Sequence, residues 1–192
     1  MMKRLVIIAV ALAMVAAIGV GSASAANSLQ QGLFSVSVGM GDSIFSHKTF
    51  PTANGIINDV VDINARYLIT KDVAIVGGFG LQLDGGDADA TYFSFTAGAR
   101  KYLKNDDFAP FVGGQLTFAS VTAKEGNPKV KTVDLSVIDL SAMVGAEYFV
   151  GKQFSLEGSI GVGFGQASDD LTNVDDTYFG TRTVGVRANY YF

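Results

Sequence analysis

Apolar and polar side chains alternate with a period of two over the segment Phe34 to Met40. The last ten residues, Thr183 to Phe192, repeat the alternation. The apolar side of this last segment consists of Val184, Val186, Ala188, Tyr190 and Phe192. A period of two places successive side chains on opposite faces of a β-strand. Both segments are therefore predicted to be strands with one apolar and one polar face.

Six further segments between these two alternate in the same way. Their apolar sides run through residues 61–69, 73–81, 93–99, 112–118, 138–148 and 154–164. Long loops are expected after the odd-numbered strands, at 42–58, 84–89, 123–133 and 168–177, and short turns after the second, fourth and sixth. An even strand number with alternating short turns and longer outer loops is typical of outer-membrane barrels. The predicted fold is an all-β, eight-stranded antiparallel up-and-down transmembrane β-barrel.

The two sides of the predicted strands differ in size as well as polarity. Gly, Ser, Thr and Asn dominate the polar side, whereas Phe, Leu, Ile, Val and Tyr dominate the other. Small residues suit a narrow interior and bulky ones suit lipid, which favours a membrane barrel over a soluble ligand carrier with an apolar interior. Aromatic residues near the strand ends then form girdles at the two interfaces. We expect the periplasmic girdle at Tyr67, Tyr148, Phe154, Tyr190 and Phe192, and the outer girdle at Phe93, Phe118, Phe164 and Tyr178.

The N-terminus predicts export. Lys3 and Arg4 precede an apolar run from Leu5 to Val20, and small residues follow up to Ala25. This order predicts a cleaved signal peptide at residues 1–25 and a barrel domain at 26–192; a membrane anchor would need about 20 apolar residues. Losing Lys3 and Arg4 leaves 12 of the 14 basic side chains against 18 acidic ones, a net charge of −6, which argues against a nucleic-acid partner.

The predicted mature segment resembles small outer-membrane barrels of the OmpA transmembrane-domain and OmpX type. The resemblance rests on the strand pattern and on the Tyr190-Tyr191-Phe192 end. It implies an outer-membrane location among lipids and lipopolysaccharide, and recognition of Tyr190 and Phe192 by the barrel-insertion machinery. Periplasmic chaperones are then expected partners, and we expect a monomer. The resemblance implies architecture rather than an activity.

Five charged residues fall on the polar side of the predicted strands at similar distances from the periplasmic ends: Arg66, Arg100, Glu147, Glu157 and Arg187. A turn at Gly151–Lys152 pairs Val150 with Phe154 and places Glu147 opposite Glu157. Like charges across a ladder destabilise it unless a cation intervenes. We predict an ion-pair cluster that closes the lower lumen, in which removal of Arg187 costs several kcal/mol. The alternative is a set of solvated charges in a water-filled pore.

Other candidate chemistry is sparse. His47, the only His, lies in the first loop without a placed nucleophile or acid, so no catalytic site is predicted. The chain has no Cys, which excludes thiolate metal sites. The acidic loops do not match the twelve-residue Ca²⁺ loop, and neither a metal nor a cofactor is expected. These loops contain Asp84, Asp87, Asp89, Asp169, Asp170, Asp175 and Asp176.

The predicted outer loops offer two candidate binding features. Basic residues expected near the outer rim are candidates for contacts with lipopolysaccharide phosphates, or form a plain surface cluster: Lys124, Lys129, Lys131 and Arg182. The first loop carries apolar residues suited to recognition or to packing across the mouth: Ile44, Phe45, Phe50, Ile56 and Ile57. The predicted function is support of envelope integrity with possible loop-mediated surface recognition. The alternatives are a narrow channel for small or apolar solutes and a lipid-modifying enzyme.

Overall fold

Eight antiparallel strands form one closed barrel in chain order in the computed structural model. It describes residues 29–40, 62–84, 88–126 and 128–192, without the side chains at 40, 84, 88 and 182–184. The strands are β1 Phe34–Met40, β2 Asp62–Leu68, β3 Val73–Asp84, β4 Ala88–Tyr102, β5 Phe108–Glu125, β6 Val130–Phe149, β7 Phe154–Asp169 and β8 Val174–Tyr191. The predicted fold is confirmed.

Closure occurs between the first and last strands. Val38 of β1 lies opposite Ala188 of β8, and the Phe192 amide donates a 2.9 Å hydrogen bond to the Phe34 carbonyl. Every strand thus has two ladder partners, as a membrane barrel requires. Across the described ranges, no helix has the length and apolarity needed to cross a membrane. The predicted signal peptide (1–25), His47, Asp87 and the apolar residues of the first loop lie outside the described residues.

The bulky apolar side chains face outward and the small polar ones inward, as predicted. Leu140 is 62 % exposed, whereas its neighbours Asp139 and Ser141 are buried. The outward apolar band runs over Phe108–Phe118 in β5, Ile138–Tyr148 in β6 and Phe154–Phe164 in β7. Each band is about eleven residues long, close to the roughly 9–11 residues that a tilted strand needs to cross a bilayer. These bands mark the lipid-facing zone.

The loops predicted at 84–89, 123–133 and 168–177 are wrong in extent. The strands continue through half or more of each segment and leave only three or four residues between the strand ends Asp84/Ala88, Glu125/Val130 and Asp169/Val174. On the β5–β6 hairpin the outward side chains are mostly polar, whereas the inward ones stay apolar and keep the ladder amphipathic. The β5–β6 hairpin extends about seven residues beyond the lipid band, or about 17 Å of height at a tilt of about 45°. The short turns after β2, β4 and β6 are confirmed.

An irregularity in β8 overturns the outward assignment of Tyr178. Ser159 pairs with Gly185 but Gly161 pairs with Arg182, so β8 carries one extra residue at this point. Above this β-bulge the inward and outward positions exchange. Tyr178 is buried in the lumen, and Phe179, 73 % exposed, takes its place on the lipid-facing side. Because β8 continues to Val174, the backbone of Arg182 lies at mid-strand rather than near the outer rim, which corrects its predicted position.

Two apolar layers fill the ends of the lumen. The upper layer lies at and above the outer end of the lipid band and consists of Tyr92, Ala119, Val121, Ala123, Val133, Leu135, Val137, Ala167 and Tyr178. The lower layer lies at the periplasmic strand ends and consists of Leu29, Leu68, Ala74, Tyr102, Ala109, Phe111, Phe149 and Tyr191. The charged side chains predicted to cluster lie next to this lower layer.

Candidate functional site

Strand register brings two buried carboxylates face to face. The Val150 amide donates a 3.0 Å hydrogen bond to the Phe154 carbonyl, and Glu147 of β6 pairs with Glu157 of β7, both as predicted. Arg187 of β8 lies opposite Glu157 on the other side. The backbone ladder alone therefore places two like charges side by side, which only buried cations offset.

Arg66 supplies the cation between them. It reaches across the lumen from β2, with its Nη1 2.8 Å from Glu147 Oε2 and its Nη2 2.6 Å from Glu157 Oε2. Arg66 is 3 % exposed, and its Nη2 also donates a 3.2 Å hydrogen bond to Asn189 Oδ1. One planar guanidinium thus satisfies both carboxylates, a geometry for which Arg is suited.

Neutral donors complete the shell of Glu147. The Tyr102 hydroxyl donates to Oε2 at 2.8 Å, and the Tyr191 hydroxyl donates to Oε1 at 2.6 Å. The Asn189 side-chain amide donates to Oε1 at 3.2 Å, and the Ser155 hydroxyl donates to the same oxygen. With Arg66, Glu147 accepts five hydrogen bonds. A fully buried carboxylate is stable in this setting because its lone pairs are occupied.

Glu157 depends on arginines instead. Its Oε2 accepts from Arg100 Nη1 at 2.8 Å as well as from Arg66, and its Oε1 lies 3.5 Å from Arg187 Nη1. Arg187 Nη2 also lies 3.3 Å from Asp62 Oδ2. The Arg100 guanidinium lies 4.2 Å from the centre of the Phe111 ring, a cation–π contact. The two glutamates are thus stabilised by different chemistry.

The structure brings together all five charged residues predicted to meet, and adds Asp62. Three arginines face three carboxylates, so the group is electrically balanced. We call this group, with Tyr102, Ser155, Asn189 and Tyr191, the lumen cluster. It joins β2, β4, β6, β7 and β8. Its polar groups are directed at one another, so its chemistry is that of a cross-link and a block in the lumen.

Sequence reasoning missed part of this cluster and did not identify its centre. It placed Asp62, Ser155, Asn189 and Tyr191 on the polar side but attached no role to them, and it did not consider Tyr102. It assigned the bridge between the two glutamates to no single arginine, and the structure places Arg66 there. Which side chain reaches across a lumen depends on strand tilt and side-chain length, which the alternation does not encode.

A second buried carboxylate contact lies higher in the lumen. Asp139 is fully buried and accepts a 2.8 Å hydrogen bond from the Tyr178 hydroxyl. Two glycines of β7 leave room for the pair, since a Cβ on Gly163 would come within 2.6 Å of Asp139 Oδ2 and one on Gly165 within 2.6 Å of the Tyr178 ring. This contact exists because the β-bulge turns Tyr178 inward.

Comparison with known proteins identifies the family. A sequence model described as outer membrane protein beta-barrel domain matches residues 13–192. The chain belongs to this family. It is an outer-membrane protein, as its sequence predicted. No curated protein matches the chain.

Solved structures with the same fold include the N-terminal β-barrel domain of Pseudomonas aeruginosa OprF, at 12 % identity and a TM-score of 0.52, covering 84 % of this chain and 98 % of that one. The attachment invasion locus protein Ail of Yersinia pestis is similar at 16 % identity and a TM-score of 0.49, over 85 % and 100 % of the two chains. Neisserial surface protein A gives 16 % and 0.46, over 81 % and 94 %. Likeness to OprF at this identity shows the fold alone.

Two of the three predicted rim lysines are already paired with carboxylates. Lys129 forms an ion pair with Asp89, and Lys131 Nζ lies 2.5 Å from Asp134 Oδ2. Lys124 is exposed and lies opposite Lys131 in the β5–β6 ladder. The basic cluster therefore carries interspersed carboxylates. Among the residues with described positions, no group of three or more His, Cys, Asp or Glu side chains is arranged to hold a metal ion.

The C-terminal aromatics lie on the outer face of the closing seam. The rings of Tyr190 and Phe192 are 5.0 Å apart, and those of Phe34 and Phe192 are 6.0 Å apart. Of the other periplasmic aromatics predicted, Tyr67, Tyr148 and Phe154 are exposed on the lipid-facing side. This arrangement is that of an interfacial aromatic girdle.

Proposed function

We propose that this outer-membrane barrel is a non-enzymatic structural protein that supports envelope integrity. The observation that carries the proposal is the filled lumen, in which Arg66 and Glu147 are 3 % and 0 % exposed within a cluster that joins β2, β4, β6, β7 and β8. An eight-stranded barrel has an interior just wide enough for side chains. A cross-linked and blocked interior suits a rigid membrane protein better than a solute path.

The filled lumen also bears on the two other candidate functions. A channel would require the ion pairs at 2.6–2.8 Å to part for every solute. A catalytic site in the lumen cluster would need a group free to act on a substrate, whereas Glu147 already accepts five hydrogen bonds and Glu157 accepts one each from Arg66 and Arg100. We therefore rank both candidates below the structural role.

The test combines a cell assay with a conductance measurement. In the source bacterium, removal of the gene should increase uptake of a hydrophobic dye and sensitivity to detergent, and the wild-type gene should restore both. The purified barrel should give no stable current steps in planar bilayers. Unchanged permeability in the deletion strain would reject the envelope role, and reproducible current steps would favour the channel.

Surface recognition is proposed for the projecting hairpins. The β5–β6 hairpin presents Lys124, Lys129 and Lys131 above the lipid band, where lipopolysaccharide phosphates lie. Since Lys129 and Lys131 are paired with carboxylates, we expect weak binding in which phosphate competes for them. Binding of the barrel to lipopolysaccharide with and without its phosphates, compared with a variant carrying Gln at all three lysines, tests this. Equal binding by both proteins would reject it.

Assembly partners follow from the closing seam. We propose that the insertion machinery binds Tyr190 and Phe192 on the free last strand, after delivery by periplasmic chaperones, and that the barrel then acts as a monomer. Both side chains project from the face of β8 that stays accessible until lipid covers it.

A further inference from the structure

The residues before β1 turn across the periplasmic mouth of the barrel. The Leu33 amide donates to the Gln30 carbonyl at 3.2 Å, and Gly32 has φ +89°, as a type II turn requires at its third position. The Gly32 amide donates to the Leu68 carbonyl at 2.9 Å, which fixes the turn to the end of β2. This turn carries Leu29 back under the lumen.

Leu29 packs within an apolar ring of side chains. It is 3 % exposed and belongs to the lower apolar layer. The other members of this layer lie at or near the periplasmic ends of six strands: Leu68, Ala74, Tyr102, Ala109, Phe111, Phe149 and Tyr191. The seat for Leu29 thus exists only when the barrel is closed.

The ring is the floor of the lumen cluster. Tyr102 and Tyr191 contribute rings to the apolar layer and hydroxyls to Glu147. Phe111 carries the Arg100 guanidinium on its face. A seated Leu29 therefore keeps periplasmic water away from ion pairs whose strength depends on a low local dielectric.

The segment is held by contacts confined to the periplasmic mouth. Leu33 packs against the lower apolar layer, and two 2.9 Å backbone hydrogen bonds join Gly32 and Leu33 to Leu68. Gln31 is exposed, and Leu29 is the fully buried side chain of the described part of the segment before β1. Regions with few buried apolar contacts open locally at a small fraction of the global unfolding free energy. We propose that Leu29–Leu33 is a detachable stopper, which closes the periplasmic mouth and can leave it while the barrel stays folded.

The chain lacks cysteine, so single substitutions give unique thiol labels. In detergent micelles, Leu29→Cys should react with a hydrophilic maleimide at least about tenfold more slowly than Gln31→Cys, because the seated thiol reacts only from the open state. Labelling should nevertheless go to completion while the protein keeps the gel mobility of the folded barrel. Equal rates for the two variants would show that the segment is not seated. Labelling that requires unfolding would show a fixed part of the core rather than a stopper.

A reporter inside the ring separates the stopper from a local effect at position 29. Ala109 is fully buried in the ring, and Ala109→Cys is a small change that the fold should tolerate. Its labelling should accelerate when Leu29→Asp is added, because an ionised side chain does not seat in an apolar ring. Gln31→Asp is the matched control and should leave the rate unchanged. If Leu29→Asp left Ala109→Cys as protected as before in a folded barrel, the proposal would be overturned.

Discussion

Replacement of Arg66 by Met should be among the most destabilising single changes in the lumen. Met preserves much of the length and apolar bulk of the side chain but removes the charge and both guanidinium contacts, at 2.8 Å to Glu147 and 2.6 Å to Glu157. Three arginines currently balance three carboxylates, so the variant leaves a buried excess of one negative charge. Removing one partner of a buried pair costs about 3–5 kcal/mol.

Arg187→Met is the matched control. Arg187 lies 3.5 Å from Glu157 and 3.3 Å from Asp62, and the Asp62 side chain is 20 % exposed. Longer and partly solvated pairs contribute less, so we expect a loss of about 1–2 kcal/mol, nearer the range of an ordinary hydrogen bond. From the sequence we expected a loss of several kcal/mol on removal of Arg187, and the longer distances of its contacts lower that expectation.

Urea unfolding in micelles, followed by the near-UV circular dichroism of the tyrosines or by gel mobility, measures the loss of unfolding free energy in both variants. The double variant Arg66→Met with Glu157→Gln restores the charge balance and should recover part of the loss, whereas additive losses would show that charge is not the cause. The reasoning fails if Arg66→Met lies within about 1 kcal/mol of wild type, or if Arg187→Met costs more, given the range for buried pairs.

Three other changes test the fold around the cluster. Tyr178→Phe removes the hydroxyl bonded to Asp139 and should cost about 1.5–3 kcal/mol in unfolding free energy, whereas Phe179→Leu on the lipid-facing side should cost less. Val144→Arg, in the middle of the lipid band, should cost about 2–4 kcal/mol in bilayers, while Thr132→Arg on the projecting hairpin should be nearly neutral; equal costs would refute the assigned lipid zone. Phe192→Ala should slow the appearance of folded, heat-modifiable barrel in cells without a comparable change for Phe179→Ala, and identical assembly rates would contradict the role of Phe192 in insertion.

The alternation of side chains was enough to predict the strands, their number and their faces. It fixed the register of β6 on β7 as well, because the turn after Val150 is short and leaves one sensible pairing with Phe154. It was least informative above the lipid zone, where polar outward residues look like loop residues. The inward residues Val121, Val133 and Leu135 continue the alternation there and are the signal that the strands extend.

The centre of the lumen cluster could not be predicted in the same way, because it depends on contacts between strands that are not neighbours. Arg66 and Arg187 both fall on the polar side of their strands, yet only the first bridges the two glutamates, since β2 faces them across the lumen whereas β8 flanks Glu157. The inward orientation of Tyr178 was not predicted, for a local reason. Tyr178 adjoins another aromatic residue, Phe179, so either residue satisfies the pattern of outward aromatics. The extra residue in β8 decides which of the two faces outward. The β-bulge in β8 therefore determines that Asp139 contacts Tyr178. In a strand without the bulge, Asp139 would face Phe179 instead.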